Sequence, residues 1–146
     1  MKKRAGGCLC GSVRYELSSK PSDAGWCHCR TCQLNSGSPA MVFATVRFAD
    51  YRYESGETAV RRVESSSFGH RAFCAACGTP LYTHVEHQPD TLDFSVATLD
   101  ELGRVRPGFH IFWSSRIPWL EINDDLPKFD RFRPNTVELE GSEPPA

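Results

Sequence analysis

The sequence predicts a single small domain that is mainly β and built from short antiparallel strands. Its 146 residues are enough for one hydrophobic core without a second lobe. Short segments of alternating polarity follow one another between turns rich in glycine, proline and aspartate, and no long amphipathic helical pattern occurs. Hydrophobic residues make up 40% of the chain and charged residues 24%, which is typical of a folded globular protein.

Residues 12–48 contain two predicted strands and one predicted helical turn. Residues 12–17 alternate in polarity and predict a strand, whereas residues 18–25 contain proline and glycine and predict a loop. Residues 30–35 predict one short helical turn, which ends at the Ser-Gly-Ser-Pro sequence of residues 36–39. Residues 39–48 are apolar and rich in β-forming side chains, and they predict the next strand.

From residue 50 onward the chain is predicted to form a series of short extended segments. These are, in order, residues 50–57 with a turn at their end, 58–64, 68–74, 81–86, 92–97 and 110–113. The sequence becomes rich in aspartate and proline after residue 123 and ends in an acidic stretch. We therefore expect the domain to span residues 1–130 and residues 131–146 to form a C-terminal tail.

Cysteine is the outlying residue type, and none of the seven cysteines is isolated. They occur as Cys8-x-Cys10, Cys27-x-Cys29-x-x-Cys32 and Cys74-x-x-Cys77. Seven is an odd number, so a complete set of disulfides within the chain would leave one thiol over. The charged first residues run into glycines with no apolar segment behind them, which predicts no secretory signal and a cytoplasmic location. In that reducing compartment, grouped cysteines more often bind metal or perform chemistry.

The spacing of the cysteines predicts two metal sites. Thiolates select zinc or iron–sulfur centres; a structural zinc takes four protein ligands, and a catalytic zinc takes three and keeps one position open. The four-cysteine cluster comprises Cys8, Cys10, Cys74 and Cys77, and the three-cysteine cluster comprises Cys27, Cys29 and Cys32. The alternative, in which Cys74 and Cys77 take two ligands from the middle group, leaves cysteines that make no sensible second set.

Charge and hydropathy argue against two classes of partner, nucleic acid and membrane. The formal net charge of −1 gives no basic footprint for nucleic acid, and no segment approaches the roughly 18 apolar residues of a membrane span.

Two alternatives to an enzyme stay open: a non-catalytic two-zinc module that binds protein or nucleic acid, and a redox or metal sensor that releases zinc on oxidation. A fourth protein ligand at the three-cysteine cluster would favour the binding module, and an open position would favour the enzyme.

Six short motifs occur along most of the chain in a specific order. They are Gly7-Cys8-x-Cys10-Gly11-x-Val13, Cys27-His28-Cys29-x-x-Cys32, Ser36-Gly37, Phe73-Cys74-x-x-Cys77-Gly78-Thr79, Pro107-x-x-His110-Ile111 and Pro118-Trp119-Leu120. On these motifs the chain resembles the glutathione-dependent formaldehyde-activating enzyme family, whose domain also occurs in centromere protein V. The resemblance extends from about residue 6 to residue 129.

The resemblance implies a β-tent fold with two zinc ions, a structural one on the four-cysteine cluster and a catalytic one on the three-cysteine cluster. It also implies a carbon–sulfur lyase of the S-hydroxymethylglutathione synthase type, with glutathione and formaldehyde, or a similar small aldehyde, as partners. His28 lies inside the three-cysteine cluster and is a catalytic candidate, as a proton shuttle or as a group that supports the metal ligands; the alternative is a purely structural role in the cysteine knuckle. His110 lies in an apolar segment and is predicted to be a buried core histidine with satisfied hydrogen bonds, with a role in the site as the alternative. Among oligomers, a two-fold homodimer is the default expectation.

Residues that flank the cysteines are candidates for substrate binding. Arg30 and Arg71 could meet a substrate carboxylate, and Ser36 and Gly37 could present backbone amides to a ligand. Gln33-Leu34 follows the third cysteine of the middle group, where many members of the family are more basic. If those basic residues meet the carboxylates of glutathione, this chain binds it poorly or prefers another substrate.

Overall fold

The computed structural model describes residues 4–134, which form ten strands and one short α-helix. The elements are β1 Arg4–Gly7, β2 Arg14–Leu17, β3 Ser22–Cys27, α1 Arg30–Ser36, β4 Met41–Arg47, β5 Tyr51–Ser55, β6 Val60–Ser66, β7 Gly69–Cys74, β8 Pro80–Val85, β9 Thr91–Ser95 and β10 His110–Ile111. The mainly β fold that the sequence predicts is confirmed. Within residues 4–134 no helix combines the length and the apolar character needed to cross a bilayer.

The strands form two sheets. The small sheet has the order β1-β2-β5, and the large sheet has the order β10-β3-β4-β9-β8-β7-β6. All of the pairings are antiparallel except that of β10 with β3, which is parallel. The C-terminal end of β3 leads into the three-cysteine cluster, and that of β7 leads into the second half of the four-cysteine cluster. The sheet ends therefore position both groups of cysteines.

The main core lies between the two sheets. Tyr15 on the small sheet and Leu81 and Phe94 on the large sheet are completely buried. The ring of Tyr15 stacks on that of Tyr51 with 4.4 Å between centroids, and the hydroxyls of Tyr15 and Thr98 are hydrogen-bonded at 2.7 Å. Burying large aromatic side chains contributes strongly to the stability of so small a domain.

Two segments differ from their sequence-based assignments. β1 was not expected, because its Arg-Ala-Gly-Gly sequence has no alternation of polarity; its pairing with β2 makes it a strand. The loop predicted over residues 18–25 is shorter than expected, since β3 already begins at Ser22 and pairs with β4 through an irregular register. Gly25 lies in β3 against the ring of Phe109, which occupies the space that a Cβ atom would need.

The segment after β10 differs as well. The predicted strand over residues 110–113 is only two residues long, because Phe112 has a left-handed backbone conformation (φ 54°) and a 3₁₀ turn follows it. Residues 127–131 instead run beside β10: the N–H of His110 donates to the carbonyl of Pro127, and the N–H of Phe112 donates to that of Arg131. The predicted tail lies outside the described residues except for residues 131–134, where Phe132 packs on Phe112.

Candidate metal centres and the adjoining cavity

The four-cysteine cluster joins the two sheets. Cys8 and Cys10 lie in the turn between β1 and β2, Cys74 ends β7, and Cys77 lies in the turn before β8. Their four sulfur atoms all lie within 4.8 Å of one another. A metal ion bound here would therefore tie the small sheet to the large one.

Two tight turns with glycine hold these sulfur atoms in place. Gly11 and Gly78 both have positive φ values (79° and 80°), and their N–H groups donate to the carbonyls of Cys8 and Cys74. Glycine adopts this conformation without the steric penalty that other residues have. The hydroxyl of Thr79 accepts a hydrogen bond from the N–H of Leu9, which links the two turns directly.

The sulfur positions fit a tetrahedral metal ion. Zinc bound to four thiolates at about 2.3 Å holds its sulfur atoms about 3.8 Å apart. The Sγ atoms of Cys8 and Cys10 are 3.6 Å apart, and those of Cys10 and Cys74 are 3.9 Å apart. A hydrogen bond from the Thr79 side chain lowers the pKa of Cys77 to about 5, which favours the thiolate that a metal ligand must be.

The three-cysteine cluster forms where β3 passes into α1. Cys27 ends the strand, Cys29 is the N-cap of the helix, and Cys32 lies in the first turn. The backbone N–H of Cys32 donates to the sulfur of Cys29 at 3.3 Å, so the helix start itself orients the thiols. All three sulfur atoms lie within 4.8 Å of one another, and all three residues are buried. Within residues 4–134 no histidine, carboxylate or further cysteine joins this group.

A buried arginine contacts the three-cysteine cluster. Nη2 of Arg71 lies 3.4 Å from the sulfur of Cys32, and Nη1 lies 3.9 Å from the sulfur of Met41. Hydrogen bonds from Cys27 and Cys29, assisted by the charge of Arg71, hold the pKa of Cys32 well below its usual range. Nε of Arg71 is buried and has no hydrogen-bond partner. The guanidinium thus stabilises negative charge on sulfur and keeps one donor free.

A cavity of about 130 Å³ adjoins the three-cysteine cluster. Its walls are mostly apolar and include Met41, Phe43, Phe68, Val85, Ile111, Phe112 and Phe132. The charged side chains that line it are those of Arg71 and Asp93. The cluster therefore faces a mostly apolar pocket that could hold a small molecule.

Arg71, Thr83 and Asp93 form a polar row across three neighbouring strands, at the wall of this cavity. Arg71 on β7 pairs with Thr83 on β8, which in turn pairs with Asp93 on β9. Residues paired in this way point to the same face of a sheet, and all three line the cavity. The hydroxyl of Thr45 on β4 donates to Oδ1 of Asp93 at 2.7 Å.

A chain of hydrogen-bonded side chains runs from the buried His28, which lies between two of the cysteines, to the half-buried Asp124. His110 Nε2 is 2.8 Å from a carboxylate oxygen of Asp124, and His110 Nδ1 is 2.8 Å from Nε2 of His28. Lys128 also contacts Asp124; burial would raise the pKa of this carboxyl, but its hydrogen bonds outweigh that effect and hold the pKa at about 2. The ionised Asp124 accepts a hydrogen bond from Nε2–H of His110, so Nδ1 of His110 accepts a hydrogen bond from Nε2–H of His28. His110 is the satisfied core histidine that the sequence predicts.

His28 itself is fully buried but does not line the cavity. Burial, followed by the nearby His110, lowers the pKa of His28 to about 4, so its ring is neutral near pH 7. Its Nδ1 atom has no hydrogen-bond partner. The structure thus places His28 beside the cluster but apart from the cavity wall, and its role as a proton shuttle stays a prediction.

The other predicted substrate-binding residues lie on α1. Arg30 is exposed and reaches the side chain of Gln33 at 3.5 Å. The hydroxyl of Ser36 donates to the carbonyl of Cys32, and the N–H of Gly37 caps the helix by donating to the carbonyl of Gln33. Within the described structure these three residues do not line the cavity, and their binding roles stay predictions.

Gln33 has a structural function that the sequence did not reveal. It is buried, and its side-chain amide donates to the carbonyls of His28 and Ser115 at 2.9 and 3.2 Å. It therefore joins the helix to the segment that follows β10. A basic side chain here would have to place its charge among buried groups.

Asp93 and Thr83 are the site residues that the sequence analysis missed. Asp93 lies between the buried Leu92 and Phe94 in β9. A polar residue that alternates with buried apolar residues in a strand usually faces solvent. Only the folded arrangement shows that this face of β9 borders a cavity. Arg71 is a candidate from the sequence because it lies near Cys74. It does line the cavity, but the cysteine that it contacts is Cys32 of the three-cysteine cluster.

Comparisons with known proteins agree with this architecture. An uncharacterised lyase of Schizosaccharomyces pombe is 34% identical over 82 residues, which cover 56% of this chain and 58% of that protein, so the chain spans less than two thirds of this relative. A crystal structure of a Rhodobacter sphaeroides protein is similar with a TM-score of 0.56 and 26% identity, covering 70% of this chain and 91% of that chain. The family model described as glutathione-dependent formaldehyde-activating enzyme matches residues 3–115. Because this match covers most of the chain, the protein belongs to the glutathione-dependent formaldehyde-activating enzyme family.

Proposed function

We propose that the protein is a zinc-dependent carbon–sulfur lyase that joins a thiol, glutathione, reversibly to formaldehyde or a similar small aldehyde. The observation that carries the proposal is the three-cysteine cluster, which faces a cavity and has no fourth histidine, cysteine or carboxylate ligand within the described residues. Three protein ligands with an open fourth position are typical of catalytic zinc sites. The family and the lyase relative support the same class of reaction.

The two clusters would hold zinc for different purposes. The four-cysteine cluster would hold a structural ion, since its four sulfurs complete a tetrahedron. The three-cysteine cluster would hold the catalytic ion. Zinc bound there would lower the pKa of a thiol at the open position.

The side chains around the cavity support the remaining requirements of the reaction. Arg71 contacts Cys32 and stabilises negative charge near the reacting sulfur. An aldehyde such as formaldehyde is largely converted to its hydrate in water. The apolar walls limit the water around the aldehyde. A cavity of roughly 150 Å³ can take up benzene, so the 130 Å³ here has room for a thiol end and a small aldehyde. The rest of glutathione would extend outside.

The state of the cysteines and the net charge suit a reducing compartment and small-molecule partners. All seven cysteines are free thiols rather than disulfides, which suits a reducing compartment such as the cytoplasm. The partners would be small molecules, with no nucleic acid, since the net charge is −1. A homodimer stays a prediction.

Isotope-exchange NMR tests the proposal. Glutathione and ¹³C-formaldehyde form S-hydroxymethylglutathione spontaneously, so the measured quantity is the rate of exchange between free and thiol-bound carbon above that background. The zinc-loaded protein is expected to increase this rate in proportion to its concentration. An exchange rate equal to the background at every protein concentration, with both metal sites filled, would contradict the proposed activity.

A matched pair of arginine variants separates charge stabilisation from glutathione binding. Arg71→Gln is expected to lower kcat by about tenfold to a hundredfold, because it removes the cation that contacts Cys32 and stabilises negative charge at the cluster. Arg30→Gln, at an exposed position at the start of α1, is expected to raise KM for glutathione and leave kcat unchanged. Steady-state exchange rates at varied glutathione concentration measure both effects. An unchanged kcat in Arg71→Gln would contradict the stabilising role of Arg71.

A further inference from the structure

The polar row extends from the sulfur cluster to a carboxyl group. At one end, Arg71 contacts the sulfur of Cys32. At the other end, Asp93 lies two strands away across the same cavity wall. Neighbouring strands are about 4.8 Å apart, so the backbones of these two residues are separated by about 10 Å. The Arg71 side chain extends across part of this distance, because its Nη1 lies 3.9 Å from the sulfur of Met41 on β4, the strand next to β9. A hemithioacetal bound in the cavity would thus have the Arg71 guanidinium and the Asp93 carboxyl on the same wall.

Asp93 is held in one orientation by a neutral donor. The hydroxyl of Thr45 donates to Oδ1 at 2.7 Å, and Asp93 lines the cavity next to the three-cysteine cluster. A carboxyl group fixed by a hydroxyl, rather than neutralised by a close cation, keeps its capacity to exchange a proton.

The surroundings of Asp93 bring its titration close to neutral pH. Burial raises its pKa to about 6, although the hydrogen bond from Thr45 opposes the shift. Among the other charged groups that act on it, Cys32 and Asp23 raise the pKa further and Arg71 lowers it. A carboxyl group of this kind can accept and return protons at physiological pH.

We propose that Asp93 is the catalytic residue that takes the hydroxyl proton of the hemithioacetal and returns it, while Arg71, which contacts Cys32, stabilises negative charge at the sulfur cluster. This inference rests on the proposed lyase function. In the lyase direction, the carboxylate accepts the hydroxyl proton, and the electron pair of that O–H bond forms the carbonyl double bond. The carbon–sulfur bond breaks, and its electron pair leaves with sulfur as the thiolate. In the reverse direction the thiolate attacks the carbonyl carbon, and protonated Asp93 returns the proton to oxygen.

Asp93→Asn tests the assignment with little change in shape. The amide oxygen still accepts the hydrogen bond from Thr45, but the side chain can no longer take a proton. We expect kcat in the lyase direction to fall by about a hundredfold or more, with KM and the zinc content unchanged. The matched control is Asp90→Asn, at an exposed position in the turn before β9, and its kcat is expected to equal that of the wild type.

The pH profile distinguishes a proton-transfer role from a structural one. Since the base must be ionised, wild-type kcat should fall as the pH drops through about 6, while the zinc content measured at each pH stays constant. This decline should be absent in Asp93→Asn. Thr45→Val removes the hydrogen bond that lowers the pKa of Asp93, and it should shift the decline to higher pH. The Thr45 variant gives this readout even if Asp93→Asn fails to fold.

The outcomes separate the two proposals. If the wild type exchanges thiol-bound formaldehyde and Asp93→Asn retains its kcat and its pH profile, the assignment of Asp93 is wrong and the lyase function stands. An unshifted profile in Thr45→Val would contradict the assignment as well. If the zinc-loaded wild type shows no exchange above background, the lyase function fails and the role of Asp93 fails with it.

Discussion

Replacement of Cys74 by serine is expected to abolish the folded state. Cys74 has no exposed surface, and its cluster joins the turn after β1 to the end of β7. Zinc bound to four cysteines contributes about 10–16 kcal/mol in small domains, which is as large as the whole stability of a typical protein, about 5–15 kcal/mol. Circular dichroism should therefore show no cooperative thermal transition for this variant, and metal analysis should show loss of the structural ion.

A cysteine of the other cluster provides the comparison for this prediction. Cysteine-to-serine substitutions make the same chemical change in both clusters, so a difference in stability reports the function of the metal and not the loss of sulfur. If variants of the two clusters lowered the thermal midpoint equally, the division into a structural and a catalytic site would be contradicted.

Cys29→Ser is expected to retain the fold and lose the activity. Serine is a favourable N-cap residue, and its oxygen can accept the hydrogen bond from the N–H of Cys32 that the sulfur accepts now. The helix start should therefore persist, whereas the open metal site loses one of its three soft ligands. We expect the exchange of thiol-bound formaldehyde to fall to the background rate and the zinc content to fall by about one ion per chain.

The fold of the same sample is the control for lost activity. The far-ultraviolet circular dichroism of Cys29→Ser should match that of the wild type, and its thermal transition should remain cooperative. Exchange at the wild-type rate, despite the missing ligand, would show that the chemistry does not take place at the three-cysteine cluster.

The division of the cysteines could be predicted because ligand chemistry restricts it. A four-ligand site and a three-ligand site are the usual zinc arrangements, and spacing left one sensible partition of the seven thiols. The structure brings the same two groups together. Short strands with alternating polarity, such as β2 and β9, were also predictable, because burial on one face of a sheet produces that alternation.

The other features of the fold and the site depend on contacts between distant segments, which a local sequence pattern does not reveal. β1 has two glycines in four residues and is a strand because β2 pairs with it. The end of β10 depends on the left-handed conformation of Phe112, a residue that rarely adopts it. Asp93 belongs to the cavity only because β9 lies near β7 and α1 in space, and a polar residue in an alternating strand otherwise predicts exposure to solvent.

Zinc X-ray absorption, combined with metal content per chain, tests whether the three-cysteine cluster holds a zinc ion with an open position. The protein is purified without oxygen and measured before and after addition of glutathione. We expect about two zinc ions per chain and a rise in the mean number of sulfur ligands to about four when the thiol enters the open position. Two zinc ions whose sulfur coordination does not respond to the thiol, or a single zinc ion per chain, would show that no such open zinc site exists.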